Sequence, residues 1–431
     1  FSGIAGTTYD LQWTIANGVC SSTSDNVLIQ FDAPPTPANA GSDQSLCNPS
    51  AVLAGNLPVV GSGQWSIISG IGGSFVLDTD PTTTFNGASG TTYVLLWTTT
   101  NGVCSTQDDV QIHFHPIPDV AAANKTICSG SNASVPITNL NGIPGTTFSW
   151  TVFSSSNVTG ASAGNGSLIS QILSSADGTT FGSVVYRITP SANGCRGVPI
   201  DVTVTVDPVP AITNLPPSLI QSVCSGVALN FLPSSTIGST TMTWRSSVTG
   251  TITGVSASGS GPITDTPVNT GNVAGTVTYR ITPSIGGCAG MPVNYVVHVN
   301  PIPVAPSSTP QNICSGETTN IVINNLNSVA GTTYSWTLSG ASNIAGASAG
   351  SGLVISQTLT SANGTSAGAV TYNITPNANG CAGTPISVLV NVTPKPVFTN
   401  TPTSFIQQIC SNTPLNFLPT SNIGSTTFSW T

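Results

Sequence analysis

Four Pro-x-Pro tripeptides recur at near-constant spacing: Pro116-Ile117-Pro118, Pro208-Val209-Pro210, Pro301-Ile302-Pro303 and Pro394-Lys395-Pro396, with first-proline intervals of 92, 93 and 93 residues. A fixed period of this length restricts the chain to a series of similar folded units. Proline fixes φ and offers no N–H to a sheet ladder, so each tripeptide ends one set of strands and makes a short, stiff connection to the next.

A longer period lies over the first. Cys128 and Cys314, Trp150 and Trp336, Cys224 and Cys410, and Trp244 and Trp430 are each 186 residues apart, so two module types alternate. Phe1–Cys20 also matches Phe85–Cys104 in 13 of 20 positions at an offset of 84. The expected division is the C-terminal part of a truncated module (1–33), four complete modules (34–115, 116–207, 208–300 and 301–393), and the N-terminal part of another (394–431). Both ends then fall inside modules, which implies a longer chain whose first partners are further modules of its own kind.

Inside a module the pattern is that of strands. Ile200–Val206 alternates apolar and polar residues, Tyr186–Pro190 precedes it, and Ser191-Ala192-Asn193-Gly194 supplies hairpin turn chemistry between them. Six to eight short strands in about 90 residues, with no helical period competing, predict an all-β chain: a tandem array of immunoglobulin-like antiparallel β-sandwiches, extended by its proline junctions. Trp65, Trp97, Trp150, Trp244 and Trp336 recur at fixed module positions and are expected in the cores; the alternative is a row of exposed rings stacking on sugars.

Each complete module holds two cysteines, and the simplest pairing is internal: Cys47–Cys104, Cys128–Cys195, Cys224–Cys288 and Cys314–Cys381. Cys20 and Cys410 are left over, and repeat logic puts their partners outside the 431 residues. Bonds of this kind need oxidising surroundings, so the chain is expected outside the cell, secreted or on its surface.

Composition excludes much else. Charged residues are 5% of the chain, 6 basic against 14 acidic, which leaves no basic footprint for nucleic acid. Residues 1–119 hold nine aspartates and no Lys or Arg. No apolar run approaches the ~18 residues a membrane span requires, so no membrane insertion of this segment is expected. His113 and His298 fall on polar strand faces and His115 in a linker, with no repeated Ser-His-Asp or Cys-His set, so the chain is not expected to be an enzyme. Asp78 and Asp80, with Asp43, offer oxygens for Ca²⁺, but no twelve-residue ligand loop accompanies them, and no cofactor is expected.

Ala40–Cys47, Trp97-Thr98 leading to Asn101-Gly102-Val103-Cys104, Ile127-Cys128-Ser129-Gly130, and Tyr186–Pro190 followed by Asn193-Gly194-Cys195 resemble the PKD-like repeats of giant surface proteins in Bacteroidota. The resemblance is to gliding-motility adhesins and related substrates of the type IX secretion system. It implies a surface filament, export and motility machinery as partners, and attachment through a C-terminal region. The sequence-based reading is thus the shaft of a long extracellular adhesin or filament, with surface polysaccharide or other filament subunits as further partners. Two alternatives stand beside it: modules that bind glycans or surfaces directly, and spacers of a secreted hydrolase.

Overall fold

The computed structural model describes residues 1–214, 217–400 and 408–431, so part of 394–431 lies outside the described residues. The chain divides into two compact units, Phe1–Pro208 and Val209–Thr431, each described by itself. Among the described residues every regular element is a β-strand.

The unit Phe1–Pro208 opens with a two-stranded hairpin, Thr7–Ile15 against Thr23–Phe31, and then holds two separate hydrophobic cores. In the second of these, between residues 120 and 206, four strands make the main sheet. They are termed here the lead strand (Lys125–Cys128), the Trp strand (Thr147–Ser156), the Tyr strand (Gly182–Ala192) and the exit strand (Ile200–Asp207). Their order is lead, exit, Tyr, Trp. The Trp, Tyr and exit strands are antiparallel neighbours, and the alternation read from the sequence is realised: Val202, Val204 and Val206 point inward and are buried to 1% exposure or less. The turn from the Tyr strand toward the exit strand runs through Asn193 (φ 51°) and Gly194 (φ 80°), the left-handed pair that a tight hairpin turn demands. A second layer of short strands, Ser131–Asn132, Ile172–Ser175 and Val158–Thr159, closes the core from the other side.

The same arrangement repeats. In the first module the four strands are Gln44–Leu46, Ser62–Ser69, Thr92–Asn101 and Cys104–Phe114. In the unit Val209–Thr431 they are Ile220–Cys224, Thr241–Thr249, Gly275–Ile285 and Val293–Asn300, then Gln311–Cys314, Thr333–Ser342, Gly368–Ala378 and Ile386–Thr393. In all four modules the lead strand pairs parallel to the exit strand, a departure from the antiparallel rule of the other main-sheet pairings.

Indole rings organise each core. Trp65, Trp97, Trp150, Trp244 and Trp336 are all buried, at 7% exposure or less, and Trp65 lies 4.9 Å from Trp97 centroid to centroid. A glycine on the neighbouring strand faces the indole in three modules: Gly164 opposite Trp150, Gly350 opposite Trp336 and Gly259 opposite Trp244. A Cβ at Gly259 would sit 2.3 Å from the Trp244 ring, so the close approach of ring to backbone requires glycine there. Each of the three Tyr strands at residues 182–192, 275–285 and 368–378 buries a tyrosine whose hydroxyl donates inside the module: Tyr186 to Gln171 Oε1, Tyr372 to Gln357 Oε1 and Tyr279 to Asp265 Oδ2, all at 2.7 Å. Trp13 and Trp430 differ. They are 74% and 82% exposed, because no second layer covers the Thr7–Ile15 hairpin and no described strand packs on Trp430.

Candidate functional site at the module junctions

The register of a module determines where its two cysteines lie. Cys128 ends the lead strand opposite Asp207, the last residue of the exit strand. Cys195 pairs with Ala192, at the opposite end of the Tyr strand. The 11-residue Tyr strand separates the two levels, and at ~3.3 Å per residue that is roughly 35 Å. A disulfide needs its Cα atoms within about 7 Å. Each sandwich therefore has an N pole, carrying the Tyr–exit hairpin and its cysteine, and a C pole, carrying the lead-strand cysteine.

The four internal pairings expected from the sequence are accordingly not formed. Cys47 bonds Cys195 (S–S 2.06 Å, Cα–Cα 5.4 Å) and Cys224 bonds Cys381 (S–S 2.00 Å, Cα–Cα 5.6 Å). This overturns Cys47–Cys104, Cys128–Cys195, Cys224–Cys288 and Cys314–Cys381 together. Cys128 and Cys288 are also disulfide-bonded, whereas Cys20, Cys104, Cys314 and Cys410 carry free thiols. Both bridges described join the C pole of one module to the N pole of the next. Sequence spacing alone does not separate the two schemes, because each module contributes one cysteine of each kind.

The surrounding residues fit the junction role. At the N pole a Cys-x-Gly run follows the turn: Cys195-Arg196-Gly197, Cys288-Ala289-Gly290 and Cys381-Ala382-Gly383. The glycine N–H donates to a Tyr-strand proline carbonyl, Pro190, Pro283 or Pro376, at 2.8–2.9 Å. Its Cα lies so close to the last proline of the Pro-x-Pro linker that a Cβ would stand 1.8–2.0 Å from the carbonyl oxygen of Pro118, Pro210 or Pro303. The linker is thereby held on the hairpin that carries the cysteine. Beside the Cys224–Cys381 bridge, Asn300, the strand partner of Cys224, donates from Nδ2 to the carbonyl of Asn379 in the next module's hairpin, at 3.5 Å.

The other residues singled out from the sequence lie elsewhere. Asp43 accepts from the Gln111 N–H, Asp78 from Gln64 and Asp80 from Thr82, so the three carboxylates are engaged separately; among the described residues no group of three His, Cys, Asp or Glu is placed to hold a metal. His113 and His115 lie within 3.1 Å of one another and extend, through Thr92 at 2.6 Å and Ser45 at 2.7 Å, into a row of hydrogen-bonding groups containing no carboxylate. With the five module tryptophans inside cores, the stacking row of exposed rings is not formed by them. Among the described residues no helix is long and apolar enough to cross a membrane.

Fold and junction define a class: tandem immunoglobulin-like β-sandwiches in which a disulfide fastens one module to the next. The PKD-like domain pattern matches residues 125–210, 221–303 and 311–396, more than half of the chain, and the chain belongs to the PKD-like domain family. None of the curated proteins matches it. Solved structures similar to it include the I-band fragment I67–I69 of titin (14% identity, covering 62% of this chain and 99% of that one, TM-score 0.34). Another is the N-terminal eight Ig domains of the Down syndrome cell adhesion molecule (13% identity, covering 89% of this chain and 52% of that one, TM-score 0.30).

Proposed function

We propose that this chain is a load-bearing segment of an extracellular stalk, the shaft of a surface adhesin or filament that holds a distal region away from the cell. The observation that carries the reading is the pole-to-pole bridge, found at two junctions with the same register. A bond placed there adds nothing to a binding face and makes the joint between modules covalent twice over, once through the linker and once through sulfur. PKD-like repeats and oxidised cysteines suit an extracellular setting. Attachment to the outer membrane, a type IX export route and a part in gliding follow the resemblance to Bacteroidota surface proteins.

The test is an in-frame deletion of residues 116–300 in the natural gene, which removes two modules. Each sandwich spans roughly 35 Å from its longest strands, so the stalk reading expects the surface structure to shorten by about 70 Å with attachment by its distal region retained. Loss of attachment at unchanged length would sink it.

A second reading, direct binding of an anionic surface polymer, rests on a specific pair. Arg245 and Arg280 are strand partners on the exposed face of their sheet. The position that holds Asp201 opposite Arg187 is Asn294 opposite Arg280. Two unneutralised guanidinium groups side by side, with Thr243, Ser258 and Thr282 lining the same cleft, suit a carboxylate or sulfate. Binding of a polyuronate that is lost in the double variant Arg245→Ala/Arg280→Ala would favour this reading; equal binding by both proteins would remove it.

A further inference from the structure

We infer that Cys104 and Cys314 are open halves of the same clasp, each completed by a cysteine of an adjoining PKD-like module outside the 431 residues. The inference stands on the junction geometry and not on the stalk reading.

Cys314 is built like Cys224. It ends a lead strand opposite the last residue of the exit strand, Thr393 for Cys314 and Asn300 for Cys224. The next N–H is fixed in the same way in both: Ser315 to Thr393 O and Ser225 to Asn300 O, each at 2.8 Å. So is the glycine after it: Gly316 to Leu359 O and Gly226 to Pro267 O, each at 2.8 Å. The backbone thus presents the Cys314 thiol at a C pole as it presents the bridged one, and the thiol is exposed and free. A second observation puts a neighbour at that pole. Asn422, from the segment after the Pro394-Lys395-Pro396 linker, donates from Nδ2 to Gly364 O at 3.0 Å, and Gly364 lies in the loop that enters the Tyr strand Gly368–Ala378 at the C pole.

Cys104 is the mirror case. It opens the exit strand opposite Asn101, the hairpin position of Cys195 and Cys381. Residues 32 and 33 of the preceding segment lie on this hairpin: Asn101 Nδ2 donates to Ala33 O at 2.9 Å and the Val103 N–H to Asp32 Oδ2 at 3.0 Å. The partner chemistry follows from the two closed bridges. Cys314 takes a hairpin cysteine of the Cys-x-Gly kind, and Cys104 takes a cysteine ending a lead strand.

Closure is a thiol–disulfide exchange with an oxidised dithiol carrier. One thiolate attacks the carrier disulfide and forms a mixed disulfide, the neighbouring module's thiolate displaces the carrier sulfur, and the carrier leaves as a dithiol with the two electrons and two protons.

The experiment is disulfide mapping of the full-length protein taken from its own cells, with thiols blocked by iodoacetamide before a non-reducing digest. The expected result is a Cys314 peptide joined to a Cys-x-Gly peptide of the following module, and a Cys104 peptide joined to a lead-strand cysteine of the preceding one. Carbamidomethylation of Cys104 and Cys314 without prior reduction overturns the inference, as does a bond from either to Cys20, Cys381 or Cys410.

Discussion

If load travels through the junction bridges, reduction changes how far the chain can be drawn out. Pulled between Phe1 and Thr431, the oxidised chain unfolds but cannot release the residues enclosed by its bridges, because tension crosses from Cys47 to Cys195 and from Cys224 to Cys381 through sulfur. The enclosed separations are 148 and 157 residues. At ~3.4 Å per residue of extended chain, the two bridges together withhold about 1,040 Å. Single-molecule force extension with and without a phosphine reductant reads this directly, as the gain in fully unfolded contour length. The competing scheme of four bonds inside modules, enclosing 57, 67, 64 and 67 residues, would withhold only about 870 Å on the same scale, a difference of some 170 Å that such an instrument resolves. A gain near 870 Å, or none, refutes the argument. In the chain-entropy picture each bridge also stabilises the folded pair by roughly 5 kcal/mol, so reduction lowers the unfolding temperature of both joined modules together.

Four smaller perturbations test individual modules. Gly259→Ala drives a methyl group to 2.3 Å from the Trp244 ring, and overpacking of this kind costs about 1–3 kcal/mol, read as a lower midpoint in denaturant. The Asp177 carboxyl is held well below its ordinary 3.8 by hydrogen bonds, first from the Thr180 hydroxyl and then from the Thr180 and Thr179 N–H groups. A depressed acid contributes stability above its unfolded value and loses it as pH falls through the folded one, so amide protection at Thr179 and Thr180 should drop below pH 3.8. Thr365 and Ser366, which donate to the amide oxygen of Asn363 in the matching loop, should show no such step. Burial pushes Tyr186 up to about 12; its favourable contribution is complete below pH 10 and is lost between pH 10 and 12, and a phenolate absorbance rise at pH 10 in the folded Gln171→Leu variant and wild type alike would contradict it. Asp201→Asn breaks a two-bond Arg187 pair whose side chains are 41% and 40% exposed, and because solvent screens an exposed pair the thermal midpoint should stay at the wild-type value.

What the sequence disclosed was whatever depends on local pattern. The alternation of Ile200–Val206, the Asn193-Gly194 turn and the recurrence of Trp150 as Trp336 are signals carried by neighbours in the chain, and each is realised as read. The disulfide scheme was not legible in this way. It depends on the parallel docking of a lead strand of three to five residues beside the exit strand, a pairing between segments 68 to 79 residues apart that sends the two cysteines of a module to opposite poles. One signal did point to it. Glycine two residues after Cys195, Cys288 and Cys381 has no turn to make; it is there because the Pro-x-Pro linker lies against it, which places the hairpin cysteine at the end where the chain comes in from the preceding module.

The position of the bridge also decides which part of a module feels a load. Tension reaching residues 116–207 through Cys195 leaves at Asp207, so only 13 of about 92 residues lie on the covalent route, and Cys381 to Thr393 spans the same number. Those residues include the exit strand, which rises ~3.3 Å per residue in the fold against a limit of ~3.6 Å for any chain. The route is therefore almost taut before any hydrogen bond is disturbed, and further pull is borne by peptide and sulfur bonds and not by the sheet. A bond inside the sandwich would have protected one core and left the linker to pass its load into the lead strand, which is held to the exit strand over four residue pairs. On the stalk reading proposed above, the same two cysteines placed between poles take the cores out of the path of force.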